Sequence, residues 1–405
     1  MSRVPSSMVL PGFWSNAPSG SRNRNKRGSV VSNRRWRWTK SARRSKRPPS
    51  LAPQRQFPGT ERVGPSPSMP TTVAAGFDRS NARVVLSLET VSETAMDKPI
   101  VCYLGPRGTF TEQALYTQPD LVEMTHVRFG SIVEVLKAVE TGGIDYGFAA
   151  IENMIEGSVN ATIDTLAFDA ELLIQREVVI NINLNLLVQP GVRPEEIKHV
   201  RSFPMAYAQC RQYLVNELPW ASIEATNSTA DAARELAESK RRDTAAIAPP
   251  RAAEVYELET LVPNIEDHPD NQTRFVLVSN QGISAPTGHD KTSIVVFQRA
   301  DQPGSLISIL QEFAARRINL TKLVSRPTRS ALGDYCFLID CEGHIANEVV
   351  GDALRSLHQQ RHVVKFLGSY PSTYGTTEEQ ENNRVVTGES DIWLAELRAQ
   401  ILSAD

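Results

Sequence analysis

Gln272-Thr273-Arg274-Phe275-Val276-Leu277-Val278 sets a hydroxyl and a guanidinium directly ahead of an apolar strand. Far upstream, Tyr103-Leu104-Gly105-Pro106-Arg107-Gly108-Thr109-Phe110-Thr111-Glu112-Gln113-Ala114 runs from a strand end through glycines into a helix start. Thr109 and Glu112 have the spacing of a capping box, in which each side chain satisfies a backbone N–H of the first helical turn. Just downstream, residues 291–370 read as a compact βαββαβ module that carries Val324-Ser325-Arg326-Pro327.

The region between these blocks alternates strand and helix signals. Strands are expected over 100–104, near Val127 and over 146–151, with a helix over 131–139. The loop Glu152-Asn153-Met154-Ile155-Glu156-Gly157-Ser158-Val159 feeds a helix running to about Phe168. Ile180, Ile182, Leu184 and Leu186 alternate with Asn181, Asn183 and Asn185, which predicts one long strand with a buried and a polar face. From about 190 to 265 the pattern restarts: a strand at 199–203, a helix over 205–218, a strand at 223–226, a helix after Ser228 and a strand at 245–248. The chain returns to the first unit through 273–279. One βα unit inserted into another, with two crossings, implies two lobes around a cleft, the layout of type 2 periplasmic-binding-like folds. Ligands in such α/β arrangements bind outside the carboxyl ends of the strands, where helix amino termini converge.

In this order the three blocks resemble the prephenate dehydratase family with a C-terminal regulatory ACT domain, over roughly residues 99–371. The fold class this implies is α/β, a two-lobed type 2 periplasmic-binding-like catalytic domain followed by a βαββαβ ACT domain. Residues 96–283 are the expected catalytic domain, with lobe 1 at about 99–188 and 266–280 and lobe 2 at about 189–265. The ACT domain is expected at 290–371, and 372–405 reads as a polar tail in which Ile392, Trp393, Leu397 and Ile401 line one face of a short helix.

The implied reaction is the decarboxylative dehydration of prephenate to phenylpyruvate. Prephenate is a dianion, and loss of carbon dioxide and hydroxide aromatises its ring. The protein must hold two carboxylates, exclude water and donate a hydrogen bond or proton to the departing hydroxyl. No metal or cofactor is demanded. Thr273 is the expected group at the ring hydroxyl, with Arg274 fixing the loop or balancing substrate charge; read without the flanking blocks, they are a strand starter and a surface residue. Gly105, Gly108 and Thr109 are expected to present amides and a hydroxyl to a carboxylate, although many α/β turns share that pattern.

Glu152 and Asn153 match the Glu-Asn of the family's Pro-Ile-Glu-Asn-Ser block, which here reads Ala150-Ile151-Glu152-Asn153-Met154, and are the further catalytic residues the resemblance implies, Asn153 donating its amide and Glu152 orienting neighbours. Ser158 and Thr162 stand at the start and first turn of the next helix, as caps or as ligands. Ser202 and Gln209 match second-lobe positions, while the family's His-Pro-Gln is Phe203-Pro204-Met205, a less polar wall. Ser228 reads as an N-cap whose backbone faces the cleft or caps alone. In the ACT module, Gly304, Ser305 and Leu306 stand for Gly-Ala-Leu, and Ser325, Arg326 and Pro327 follow Val324 where the family has Glu. These six are the expected effector contacts for L-phenylalanine acting as feedback inhibitor. Read without the resemblance, 325–327 only end an edge strand. ACT modules of this family pair, so a homodimer or homotetramer is expected.

Charge is uneven along the 405 residues. Residues 1–60 hold 14 of the 44 Lys and Arg and no acidic residue, leaving 30 basic against 46 acidic in the remainder, a formal −16. Residues 1–95 show no packing periodicity and read as a disordered basic leader. They are a transit peptide, a nucleic-acid-binding arm or the upstream extension of an over-long gene model with a start at Met96. No nucleic-acid partner is expected of the body. No apolar run reaches the roughly 18 residues of a membrane span, so no membrane partner and a cytoplasmic location are expected. Cys102, Cys210, Cys336 and Cys341 lie in apolar patterns and read as buried free thiols. Two rivals remain: arogenate dehydratase, which acts on the transaminated analogue, and a non-catalytic amino-acid-sensing binding protein.

Overall fold

The computed structural model describes residues 72–78, 83–86, 98–298, 303–329, 333–373 and 392–399. The first lobe opens with a hairpin, β1 (Thr72–Asp78) and β2 (Arg83–Leu86). It continues through β3 (Ile100–Leu104), α1 (Phe110–Tyr116), α2 (Pro119–Val122), β4 (Thr125–Phe129), α3 (Ile132–Glu140) and β5 (Tyr146–Asn153). The short β6 (Gly157–Ser158) and α4 (Asn160–Asp164) follow, then a π-helical turn over Thr165–Asp169 and β7 (Leu173–Asn181). Strand β1 pairs parallel with β4. The expectation that 1–95 carries no packed element therefore does not hold for these two strands, whose Val- and Phe-containing runs suit an edge hairpin. The remainder of 1–95 lies outside the described residues.

The second lobe comprises β8 (Asn185–Val188), β9 (His199–Ser202), α5 (Pro204–Ala208), α6 (Arg211–Glu217), β10 (Ser222–Ala225), α7 (Thr229–Ser239), β11 (Thr244–Ala248), α8 (Pro250–Tyr256) and β12 (Glu259–Val262). Strand β13 (Gln272–Ser279) then returns to the first lobe. The two sheets run β2-β1-β4-β3-β5-β13-β7 and β10-β9-β11-β8-β12. Strand β13 lies antiparallel between β5 and β7, so the stretch with the hydroxyl and guanidinium sits at the centre of a pairing formed by both halves of the lobe.

The alternating segment expected as one strand is two, in different sheets. Between Asn181 and Asn185 the chain crosses lobes, and its polar groups bond the return crossing instead of a neighbouring strand. Ile182 N donates to Asn271 O at 2.8 Å, Leu184 N to Glu266 Oε2 at 2.8 Å, and Asn264 N to Asn185 Oδ1 at 3.0 Å. Period two survives because both crossing segments bury one face. The helix expected over 205–218 also breaks: Asp267 N donates to Gln209 O at 2.6 Å, and the Asp267 carboxylate accepts from Gln212 N, capping the amino terminus of α6. Helix α8, whose second proline occupies the first helical position, and edge strand β12 were not foreseen.

The C-terminal module has the expected βαββαβ order: β14 (Asp290–Phe297), α9 (Ser305–Ala314), β15 (Leu320–Pro327), β16 (Tyr335–Glu342), α10 (Glu348–Gln359) and β17 (Val363–Pro371), with sheet order β15-β16-β14-β17. One sheet face carries Ile294, Val296, Phe337 and Ile339 against Ile309 and Phe313 of α9 and Leu357 of α10. The other face is not left to solvent. Val295, Cys336, Leu338, Leu367 and Tyr370 merge with Ile174, Val276 and Val278 of the first lobe into one buried cluster. At roughly 1.5–3 kcal/mol per fully buried aliphatic side chain, this docking has the character of a shared core. Gly368 makes it possible, since a Cβ there would lie 2.4 Å from the Ile174 carbonyl oxygen.

All four cysteines are free and buried, as expected. No helix among the described residues is long and apolar enough to cross a membrane. Residues 392–398 form a helix that exposes Ile392, Trp393 and Leu397; Ile401 lies outside the described residues.

Candidate active site

Strand alternation sorts the expected site residues onto two faces. Thr273 stands opposite Asn153, and Arg274 opposite Glu152. Thr273 and Phe275 share the face of α1, where Phe275 stacks on Phe148. Arg274 shares the other face with Val276 and Val278, against the ACT sheet. Consecutive residues of one motif therefore serve different surroundings.

On the first face the Asn153 amide donates to Thr273 Oγ1 at 2.8 Å, to Asn271 Oδ1 at 3.1 Å and to Gln272 O at 3.3 Å. Asn153 Oδ1 in turn accepts from the N–H groups of Ile155 and Glu156, both at 2.9 Å, so its orientation is fixed by the loop that follows β5. With its oxygen accepting from Asn153, the Thr273 hydroxyl keeps its proton for an outside acceptor. Asn271 Nδ2 donates to Gln209 Oε1 at 3.0 Å, and Gln209 Nε2 to Glu156 Oε1 at 3.3 Å. This polar chain links both lobes to Thr273. Met154 and Met205, the apolar replacements, are exposed.

On the second face Arg274 is 7 % exposed and lies among carboxylates and a phenol. Nη1 donates to Asp340 Oδ2 at 2.6 Å and Nη2 to the Tyr370 hydroxyl at 2.7 Å, while Nε lies 2.6 Å from Glu177 Oε2 as an ion pair. Glu177 also holds Lys291 Nζ, at 2.9 and 3.0 Å. Glu152 pairs with Lys322 of β15 at 3.0 Å and lies 3.6 Å from Arg274. Burial is the largest single influence on the Asp340 carboxyl and raises it, but Arg274, Ser293 and Lys322 together outweigh burial and hold the group below the usual carboxylate range. Burial lowers Lys322 below the usual ammonium range, against the pull of Glu152.

The expected charge-balancing role of Arg274, and a catalytic role for Glu152, are thereby corrected: both point to the ACT domain because they alternate with Thr273 and Asn153. The anion-cradle expectation is corrected as well. Gly105 N donates to Phe129 O at 2.9 Å, Gly108 N donates to the Glu112 carboxylate, and the Thr109 hydroxyl accepts from Glu112 N at 3.2 Å and faces Leu104 O at 3.4 Å. Glu112 thus reaches one residue further back than a capping box requires, and buries itself under Tyr103, whose hydroxyl donates to it at 3.2 Å. Gly108, at φ +79°, is required by the close approach of Ala252 from lobe 2, 3.0 Å from a Cβ placed there.

Thr162 is buried and donates to Ala150 O at 2.5 Å, and Ser202 to Ile247 O at 3.2 Å; each hydroxyl satisfies a strand carbonyl. Ser158 lies in β6, not in a helix cap. Ser228 does cap α7, accepting from Asp231 N at 2.9 Å. Of the expected effector residues, Gly304, Ser305, Leu306 and Ser325 line one cavity of about 390 Å³ together with Gln298, Ile307, Tyr335 and Phe337. Arg326 does not join them: it forks onto Asp164 at 2.8 Å and reaches Asn160 at 2.9 Å. Val324 packs on the first-lobe core, so the absent carboxylate stands on the face opposite Ser325. Pro327 is exposed.

Sequence reasoning missed Asn271, Glu156, Glu177, Asp340 and Tyr370. A signal existed for Asp340: it interrupts the apolar strand Phe337-Leu338-Ile339, and a charge in such a run demands a partner.

A family model for prephenate dehydratase matches residues 101–283, and one for the ACT domain matches 292–359. A prephenate dehydratase of Mycobacterium bovis is 40 % identical over 311 residues, spanning 74 % of this chain and 94 % of that protein. The crystal structure of a prephenate dehydratase in complex with L-Phe from Arthrobacter aurescens superposes with a TM-score of 0.65 at 36 % identity, covering 74 % of this chain and 99 % of its own. A structure described as a novel type of quorum-quenching acylase superposes with a TM-score of 0.60 at 26 % identity, covering 68 % and 98 %. With a catalytic and an ACT segment matched in order, and relatives aligned over nearly their whole length, this chain belongs to the prephenate dehydratase family.

Proposed function

We propose that the chain converts prephenate to phenylpyruvate and that Thr273 is the catalytic residue at the leaving hydroxyl. The supporting observation is the 2.8 Å hydrogen bond from Asn153 Nδ2 to Thr273 Oγ1, which leaves the threonine proton free to point at substrate. As the bond to the ring carboxylate breaks, its electron pair enters the ring and expels the hydroxyl opposite. Carbon dioxide and hydroxide leave, and an aromatic ring remains. A donor held at the departing oxygen stabilises charge that develops only in the transition state, an effect of about 10² to 10⁴-fold. Asn153 acts as the positioning residue for that donor, and Gln209 and Asn271 join the lobes around it.

L-Phenylalanine is the proposed effector, bound in the cavity lined by Gly304, Ser305, Leu306 and Ser325. The Arthrobacter relative carries that amino acid. No described side chain caps the first turn of α9, so its amides are available to a carboxylate. Ile307 and Tyr335, which line this cavity, and Leu323 of the same edge strand as Ser325 are exposed and support pairing of ACT modules into a homo-oligomer. The free cysteines fit a reducing cytoplasm.

Steady-state rates on prephenate and on arogenate, with and without phenylalanine, test the reading. Turnover of prephenate that phenylalanine inhibits is expected; preference for arogenate would change the substrate, and turnover of neither would overturn the activity.

A further inference from the structure

We propose that Asp340, an ACT-domain residue, is a positioning residue for the dehydratase site, acting on Thr273 through Arg274. The inference rests on the activity proposed above. Its basis is a closed ring of hydrogen bonds. Arg274 Nη1 donates to Asp340 Oδ2 at 2.6 Å, Ser293 Oγ donates to Asp340 Oδ1 at 2.5 Å, and Arg274 Nη2 donates to the Tyr370 hydroxyl at 2.7 Å. Because the Ser293 proton is spent on Asp340, the remaining 2.6 Å contact must run from the Tyr370 hydroxyl to Ser293 Oγ, which closes the ring. Asp340 and Ser293 are 1 % exposed and Tyr370 is fully buried, so water does not replace any member.

Three of the four members come from the ACT strands β14, β16 and β17, and the fourth is the residue next to Thr273. A planar guanidinium held at both amino groups and paired at Nε has little freedom to rotate. Strand β13 is thereby fixed at Arg274, and one peptide earlier Thr273 is presented to Asn153. Lys291 and Lys322 pair with Glu177 and Glu152 around the ring, so that among these six groups three cations meet three carboxylates. The ACT sheet thus supplies part of the frame of the site, and a displacement of that sheet would act on Thr273 directly.

The test uses the full chain. Asp340→Asn keeps the side chain's size but replaces one acceptor oxygen with a donor amide facing Arg274 or Ser293. The expected result is a folded protein whose kcat falls on the order of 10- to 100-fold, as a misplacement near 1 Å produces, with KM within about twofold. A part that only glues domains together would lower stability and leave kcat per folded enzyme unchanged, and that result would overturn the proposal. Should Asp340→Asn not fold, Tyr370→Phe opens the same ring by one hydroxyl while keeping the ring volume; the same split in kcat against KM is expected, and an unchanged kcat would overturn the proposal. Wild type inactive on prephenate would fail the activity reading instead, which separates the two outcomes.

Discussion

Asn153 Nδ2 lies 2.8 Å from Thr273 Oγ1, across a directly opposed pair of strands. The direction of that bond matters more than its length, because the amide can only donate. Asn153→Asp keeps the shape and reverses the bond: the threonine then donates to a carboxylate and no longer to substrate. A kcat loss of about 10²-fold or more is expected with KM little changed. Steady-state kinetics on prephenate check this; a kcat within about twofold of wild type would show that the bond's direction is irrelevant.

Gly368→Ala should loosen the ACT domain from the first lobe. The added methyl meets the Ile174 carbonyl at 2.4 Å and its amide nitrogen at 3.0 Å, both backbone atoms of a paired strand that cannot swing away. The φ of +139° adds strain for any residue with a Cβ. A destabilisation of about 1–3 kcal/mol is expected from overpacking, visible in denaturant titration as an earlier transition.

The network around Arg274 also sets an acid limit. Asp340 titrates lower in the folded protein than in the unfolded chain, because burial, which raises it, is outweighed by Arg274, Ser293 and Lys322 acting together. Its contribution is therefore complete above about pH 4, the unfolded aspartate value, and is lost as pH falls through the lower folded value. Thermal unfolding followed from pH 6 down to 2.5 should show a steeper acid loss for wild type than for Asp340→Asn, in which this group no longer titrates. Parallel curves would place the acid sensitivity elsewhere.

Much of this architecture was legible because its signals are periodic. The βαββαβ order of the ACT module and the insertion of one βα unit into another followed from runs of strand and helix pattern, whereas Thr273 drew notice only through the flanking blocks and the family they resemble. What failed to show was orientation. Period two does put Thr273 and Arg274 on opposite faces, but nothing in the sequence says that a second domain covers the Arg274 face, so both read as cleft residues. The split of the Ile180 to Leu186 alternation was hidden for a similar reason: crossing segments that bond each other through Asn183, Asn185 and Glu266 keep the alternation of a strand. The glycines of 105–108 looked like an anion cradle, and only the buried carboxylate of Glu112 shows that the Gly108 amide is already taken.

The measurement that bears most directly on the central claim is phenylpyruvate formation from prephenate by wild type and by Thr273→Val, which is nearly isosteric but has no hydroxyl. Turnover by wild type is expected, together with a kcat for the variant lower by about 10² to 10⁴-fold and a KM changed far less, since the hydroxyl acts on the departing oxygen in the transition state. A variant that turns over prephenate at close to the wild-type kcat would contradict it.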